Sequence, residues 1–188
     1  AYNAIPGGGM FPTTGVGPQL AQVVRMINAS KNSTVVAANR QVFYVNIGGF
    51  DTHDNQVNSL ANLLTNVSQS VSAFYRAMVA AGLHNDVLLF SASEFGRTPR
   101  INGTAGRDHW SRASSCFIAG GGLKTGQVIG STNRYGEAPQ DRPIHLHEVF
   151  ATLYTLMGID PKNTTLSDTN GRPQYLTSMP DPVAELVG

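Results

Sequence analysis

The sequence predicts an α/β fold with a mainly parallel sheet sandwiched by helices. Three observations carry this. Short β-branched and aromatic runs alternate with longer stretches of helical periodicity. The runs read as buried strands, and they end in glycine or in polar clusters. Residues able to do chemistry recur just after successive runs, at the strand ends where open α/β sheets bind ligands.

Composition sets the outer limits. The chain has 188 residues, 41% hydrophobic and 13% charged, enough for one globular domain with a core. Its formal net charge is +1 with no basic cluster, which argues against nucleic acid as the main partner. No apolar run approaches the roughly 20 residues of a membrane span. The single cysteine, Cys116, excludes an internal disulfide and reads as a small buried hydrophobe in an apolar run. The chain starts at Ala1 without a signal-peptide pattern, and so reads as a processed or partial product.

Residues 1–17 are rich in Gly and Pro and read as an entering loop. Pro18 opens a helix to about Ala29, with Leu20, Val23, Val24 and Ile27 on one face. Lys31 to Asn39 is a polar connection. Arg40 to Ile47 reads as a buried strand ending at Gly48-Gly49. The longest helical pattern runs from Asn55 to Ala81, with Leu60, Leu63, Leu64, Val67, Val71, Phe74, Met78 and Val79 as its core stripe. Asp54 is its expected N-cap and Gly82 its stop. Asp86 to Ala92 is a second strand and Ser114 to Ala119 a third, with Gln127-Val128-Ile129 as a short return strand. Ile101 to Arg112 lies between them as an irregular loop. His145 to Met157 is a helix capped by Gly158. Residues 161–188 wrap the surface, with a short helix near Val183 to Leu186.

Four polar clusters follow apolar runs: Asp51/His53, Ser93/Glu94/Arg97, Asp108/His109 and His145/His147. Carboxylates and neutral imidazoles from several loops are what a hard or borderline metal ion takes. Singly, each histidine is as well explained as an ordinary hydrogen-bonded residue. Their placement after successive strands is what points to one shared site. His145 and His147 sit at a helix start and read as structural, while His84, beside Gly82, reads as solvent-facing. Trp110 reads as a pocket wall or core residue. No serine sits in a nucleophile elbow, and no phosphate-cradling glycine motif occurs.

An ordered set of motifs then identifies a resemblance. Gly48-Gly49-Phe50-Asp51-Thr52-His53-Asp54-Asn55-Gln56, Ser93-Glu94-Phe95-Gly96-Arg97-Thr98-Pro99, Gly106-Arg107-Asp108-His109-Trp110 and Ala119-Gly120-Gly121-Gly122-Leu123-Lys124-Thr125-Gly126 resemble the DUF1501 family. Leu153-Tyr154-Thr155-Leu156-Met157-Gly158-Ile159-Asp160-Pro161 and Gly171-Arg172-Pro173 do so too, and the likeness runs from about Phe11 to the C-terminus. That family consists of bacterial proteins that commonly carry a twin-arginine export signal. It is grouped with the alkaline phosphatase/sulfatase superfamily, and its chains are about twice as long as this one.

The resemblance implies an alkaline-phosphatase-like fold of which this chain is the C-terminal half, in one domain spanning 1–188. It implies an extracytoplasmic location, in periplasm or at the cell surface. It also implies a divalent metal, with Zn, Mn and Ca as the candidate ions. Asp51 and His53 resemble the superfamily's middle Asp/His pair and His109 its final His. Glu94 stands in the strand-end motif as a further oxygen donor, but Phe95 occupies the position of an expected His ligand and cannot bind a metal. Asp51, His53 and His109 then suffice for one metal with an open position. Arg97 either binds a substrate oxyanion or pairs with Glu94 or Asp108. Asp108 is a ligand or the acceptor that orients an imidazole. Ser93 and Asn102 complete the polar surroundings. Two functions are compatible with this. One is a metal-dependent hydrolase of phosphate or sulfate esters whose nucleophile is not on this chain. The other is a non-catalytic structural or assembly subunit of an extracytoplasmic complex or filament. Either expects the sheet edge to be covered by the N-terminal half or a partner chain, and homo-oligomers are compatible with both.

Overall fold

A computed structural model describes residues 5, 10–34 and 38–187. The glycine-rich Pro6-Gly9 part of the entering loop and residues 35–37 of the polar connection lie outside them. The elements are α1 (Gly17–Lys31), α2 (Gln56–Ala80), β1 (Leu88–Phe90), β2 (Gly96–Arg97), β3 (His109–Trp110), β4 (Ile118–Gly120), α3 (Leu146–Leu156), β5 (Thr165–Ser167), β6 (Pro173–Tyr175) and α4 (Ala184–Val187). Among the described residues no helix is long and apolar enough to cross a membrane.

The core forms where α1 packs against the C-terminal half of α2. Val16, Leu20, Val23, Val24 and Ile27 meet Phe74, Ala77 and Met78, all nearly or fully buried. The start of α1 is tied to mid-α2 by Asn66, whose Oδ1 accepts from Val16 N at 3.2 Å and whose Nδ2 donates to Thr14 O at 3.0 Å. The N-terminal half of the α2 stripe is not core. Leu64 is 51% exposed, and Leu60, Leu63, Val67 and Val71 are only half-buried. At the other end, Val79 lies outside the buried face. Periodicity shows which residues share a face, but burial also needs an element opposite that face.

Helix ends follow local chemistry. Asn55, not Asp54, is the N-cap of α2, with a left-handed φ of 35° and no side-chain cap. Its first donors are satisfied from a distant loop: Asn55 N donates to Thr104 O at 3.2 Å and Gln56 N to Ala105 O at 3.1 Å. That contact pins the 102–106 loop beside the Asp51/His53 turn. Gly82, at φ 68°, closes the other end by letting Leu83 N reach Met78 O at 2.8 Å. In α3, His145 is the N-cap and forms a capping box with Glu148, which bears out a structural role for His145.

Among the described residues, the strands form three two-stranded antiparallel pairs: β1 with β4, β2 with β3, and β5 with β6. The mainly parallel sheet expected from the sequence is not among these ladders. Of the predicted Asp86–Ala92 strand, Leu88–Phe90 is in a ladder, and of Ser114–Ala119 only Ile118–Ala119, extended to Gly120. Gln127–Ile129 is not a strand, and Val128 is 95% exposed. Cys116 is exposed rather than buried, and β4 starts only after it.

The predicted strand Arg40–Ile47 alternates exposed and half-buried side chains from Val42 to Ile47 but belongs to no ladder among the described residues. Phe43, Val45 and Ile47 pack on the α1/α2 core, whereas Val42 and Tyr44 are 79% and 86% exposed. Leu89 and Val87 pack on the same core. Among the described residues, the main-chain hydrogen bonds of residues 42–47 are confined to Asn46, whose N–H and C=O pair with the Gln19 side chain at 2.9 and 2.7 Å. The reading of this run as a buried strand is therefore corrected: one face is covered, and among the described residues its backbone edge joins no ladder.

The C-terminal wrap contains the β5–β6 hairpin, with Asp168 Oδ1 accepting from Asn170 N and Arg172 N at 2.8 and 2.9 Å across its turn. It is anchored to α3 by Thr152, fully buried, whose Oγ1 accepts from Val183 N at 2.9 Å. Arg142 adds a clamp, binding Glu185 through Nε at 2.7 Å and Nη2 at 3.1 Å, and Glu148 through Nη1 at 3.1 Å. His84 is half-buried with Nδ1 shielded from solvent, so it is not the solvent-facing residue expected.

Candidate metal centre

Two short elements assemble the site. The Gly48–Asp51 turn brings Asp51 and His53 out of the 42–47 run. The β2–β3 pair sets Arg97 opposite His109. The loop between β2 and β3 folds back onto the turn because Gly106 allows it: any side chain there would run into the backbone of His53 and Asp54. Asn102 holds that loop. Its Oδ1 accepts from Thr104 N at 3.1 Å and Gly106 N at 2.9 Å, while its Nδ2 donates to His53 O at 2.9 Å and Asp108 Oδ1 at 3.2 Å. Thr104 Oγ1 also donates to His53 O, at 2.7 Å.

Three ligand-type atoms converge. Asp51 Oδ1 lies 3.0 Å from His53 Nε2 and 2.9 Å from His109 Nε2, and the two Nε2 atoms are 3.0 Å apart. Among the described residues, Asp51, His53 and His109 form the group of side chains whose atoms lie close enough together to hold a metal ion. Their side chains are 67%, 47% and 47% exposed, so the cluster opens to solvent. Behind His53, Nδ1 lies 3.2 Å from Asp108 Oδ1. With the proton on Nδ1, the Nε2 lone pair aims at the meeting point, the orientation that a carboxylate behind a metal-ligating histidine imposes. That lone pair then faces the second imidazole and the Asp51 carboxylate, which Arg97 and His109 also hydrogen-bond. Donor types, convergence and orientation all fit one divalent ion.

The electrostatics are dominated by Arg97. Its Nη2 donates to Asp51 Oδ1 and to Phe50 O, the latter at 3.0 Å, and its Nη1 donates to Arg107 O at 3.0 Å. The Arg97 hydrogen bond, followed by that of His109, holds the Asp51 carboxyl down at about 2 against a partial desolvation that pushes it up. Asp108 is likewise lowered, first by the Asn102 hydrogen bond and then by His53. Both are carboxylates across the neutral and mildly acid range.

The sequence-predicted residues fall into three groups. Asp51, His53 and His109 come together. Arg97, Asp108 and Asn102 touch them, but the arginine's carboxylate partner is Asp51, neither Glu94 nor Asp108. Asp108 faces His53 from behind, the orienting position of its two alternatives. Glu94 is exposed and outside the cluster, and Phe95 instead stacks on His109 with ring centroids 3.9 Å apart. Ser93 Oγ donates to Phe95 O at 3.1 Å and shapes that turn. Trp110 Nε1 donates to Glu137 O at 2.7 Å. Gly106, Thr104 and the carbonyls of Phe50 and Arg107 were not foreseen. Only Gly106 had a signal, a glycine directly ahead of the Arg-Asp-His run.

One family profile, described as protein of unknown function (DUF1501), matches residues 22–187. No curated protein and no solved structure matches the chain.

Proposed function

Taking as premise that the chain belongs to the DUF1501 family, we propose that it is the metal-holding part of an exported hydrolase-type protein. One divalent cation, Zn, Mn or Ca, is held by Asp51, His53 and His109. The observation that carries this is the mutual approach of Asp51 Oδ1, His53 Nε2 and His109 Nε2 to about 3 Å, with Asp108 behind His53. A cation there supplies Lewis acidity toward an ester oxygen. Asp108 and Asn102 keep His53 oriented, and Arg97 adds positive potential suited to phosphate or sulfate esters. The nucleophile is not assigned to this chain.

The alkaline-phosphatase-like fold, with this chain as its C-terminal half, belongs to the same proposal, as does an extracytoplasmic location. The run 42–47, which joins no ladder among the described residues, supports it, since a further strand from an N-terminal half would pair along that edge. The test is equilibrium dialysis against Zn²⁺ and Mn²⁺. The chain should retain one ion, and the Asp51→Ala/His109→Ala variant none. Uptake of no ion by the parent chain ends the metal reading.

A second reading has its own support: the stacking of Phe95 on His109, at the position where the superfamily places a metal ligand. On that reading the protein is a non-catalytic assembly subunit, and a partner chain covers the 42–47 edge. It expects self-association or a stable complex, and a monodisperse monomer of 20.0 kDa that stays soluble at high concentration speaks against it.

A further inference from the structure

We infer that Arg97 sets the cation affinity of this site by competing for it: its guanidinium and a divalent cation claim the same Asp51 carboxylate from adjacent positions. The inference rests on the metal reading above and goes beyond it, because it assigns the arginine a sign. The guanidinium is charged at every accessible pH. Its Nη2 is bonded to Asp51 Oδ1, the oxygen that also approaches both imidazoles, and its Nη1 lies 3.5 Å from His53 Nε2. Two of the three ligand atoms thus already face a fixed positive charge.

The charge cannot swing away freely. Phe50 O and Arg107 O each accept from it at 3.0 Å, its side chain is 17% exposed, and its backbone is in β2 opposite His109. Release from Asp51 would leave two further hydrogen bonds holding the group in place. A dication entering the cluster must share the carboxylate with the arginine and sit beside it, in a position only partly screened by water.

This role differs in sign from the ordinary one. An arginine that only braces the loops holds the ligands in place, so removing it loosens them and weakens cation binding. A competitor does the opposite, and removing its charge tightens cation binding. Arg97→Gln separates the two, because the amide can still donate toward a backbone carbonyl while the charge is gone. Arg97→Lys keeps a charge without the planar fork.

The experiment is calorimetric titration of the chain and both variants with Zn²⁺ and Mn²⁺, with far-UV circular dichroism and urea midpoints as folding controls. Arg97→Gln should bind about tenfold tighter or more than the parent, the scale on which a neighbouring charge shifts proton binding. Arg97→Lys should stay within about threefold of the parent, since it keeps the like charge. A folded Arg97→Gln that binds equally or more weakly overturns the inference while leaving the metal site standing. A parent chain whose binding is unaffected by Asp51→Ala/His109→Ala overturns both. A second measurement needs no variant at Arg97: on saturation with Zn²⁺, the guanidinium resonances of Arg97 should shift and their hydrogen exchange should quicken. Resonances and exchange rates that stay unchanged at saturation overturn the inference.

Discussion

Asp108 makes its contribution without touching the meeting point. Its carboxylate faces His53 Nδ1 at 3.2 Å and is itself held by Asn102. Asp108→Asn should therefore weaken Zn²⁺ binding by about 10- to 100-fold without abolishing it, the usual cost of losing the group behind a ligating histidine. Competition dialysis reads this directly, and complete loss would show that Asp108 is a ligand. At this scale the sequence was most informative where side-chain type is itself the signal. Asp51, His53 and His109 are legible because only a few residue types bind metals, and here they sit in two of the polar clusters that follow apolar runs. The Arg97–Asp51 pair was not legible, since it joins residues 46 apart in the chain and Arg97 sits in a two-residue ladder too short to leave a periodic pattern. Glu94 misled because it has the right chemistry in the right motif, while the turn presents Phe95 to His109 instead.

At the scale of elements, α2 separates what helical periodicity shows from what it does not. Phe74 is 4% exposed and packs against α1, whereas Leu64 is on the same predicted stripe and 51% exposed. Phe74→Ala should lower the unfolding free energy by about 3 kcal/mol or more in urea denaturation. Leu64→Ala should change it by about 0.5 kcal/mol or less, as exposed substitutions do. Equal losses would mean that the N-terminal half of α2 is covered.

The link between α3 and α4 gives a pH dependence. The Arg142 hydrogen bond, above the other causes, lowers the Glu185 carboxyl below its ordinary 4.5. A depressed carboxyl contributes stability that is fully present above that ordinary value and lost as pH falls through the depressed one. Hydrogen-exchange protection of α4 amides, taken relative to the intrinsic rate at each pH, should therefore fall on acidification below about 4.5, and Arg142→Ala should lower it already at neutral pH. Slow exchange in that variant would free α4 from the clamp. The helix ends around Gly82 and Gly158 were readable because a glycine at positive φ is a local device. The β5–β6 hairpin was not, because three-residue strands carry no alternation.

For the whole molecule, the covered and uncovered sides are unequal. Phe43, Val45 and Ile47 face the α1/α2 core, while Val42 and Tyr44 face solvent and most of the run's backbone lacks a ladder. The alternation of that run could be read from the sequence. Its pairing could not, because pairing is made by residues distant in the chain. The turn that ends this run supplies Asp51 and His53, so the unpaired edge and the proposed metal site are continuous. The central claim is that the turn and the β2–β3 ladder together hold one cation. The most direct measurement is an anomalous difference map of the chain crystallised with Zn²⁺, from data collected on both sides of the zinc edge. The account predicts a single strong peak about 2.0–2.2 Å from Asp51 Oδ1 or Oδ2, His53 Nε2 and His109 Nε2. A map with no peak there, or with its strongest peak at His145 and His147, would contradict it.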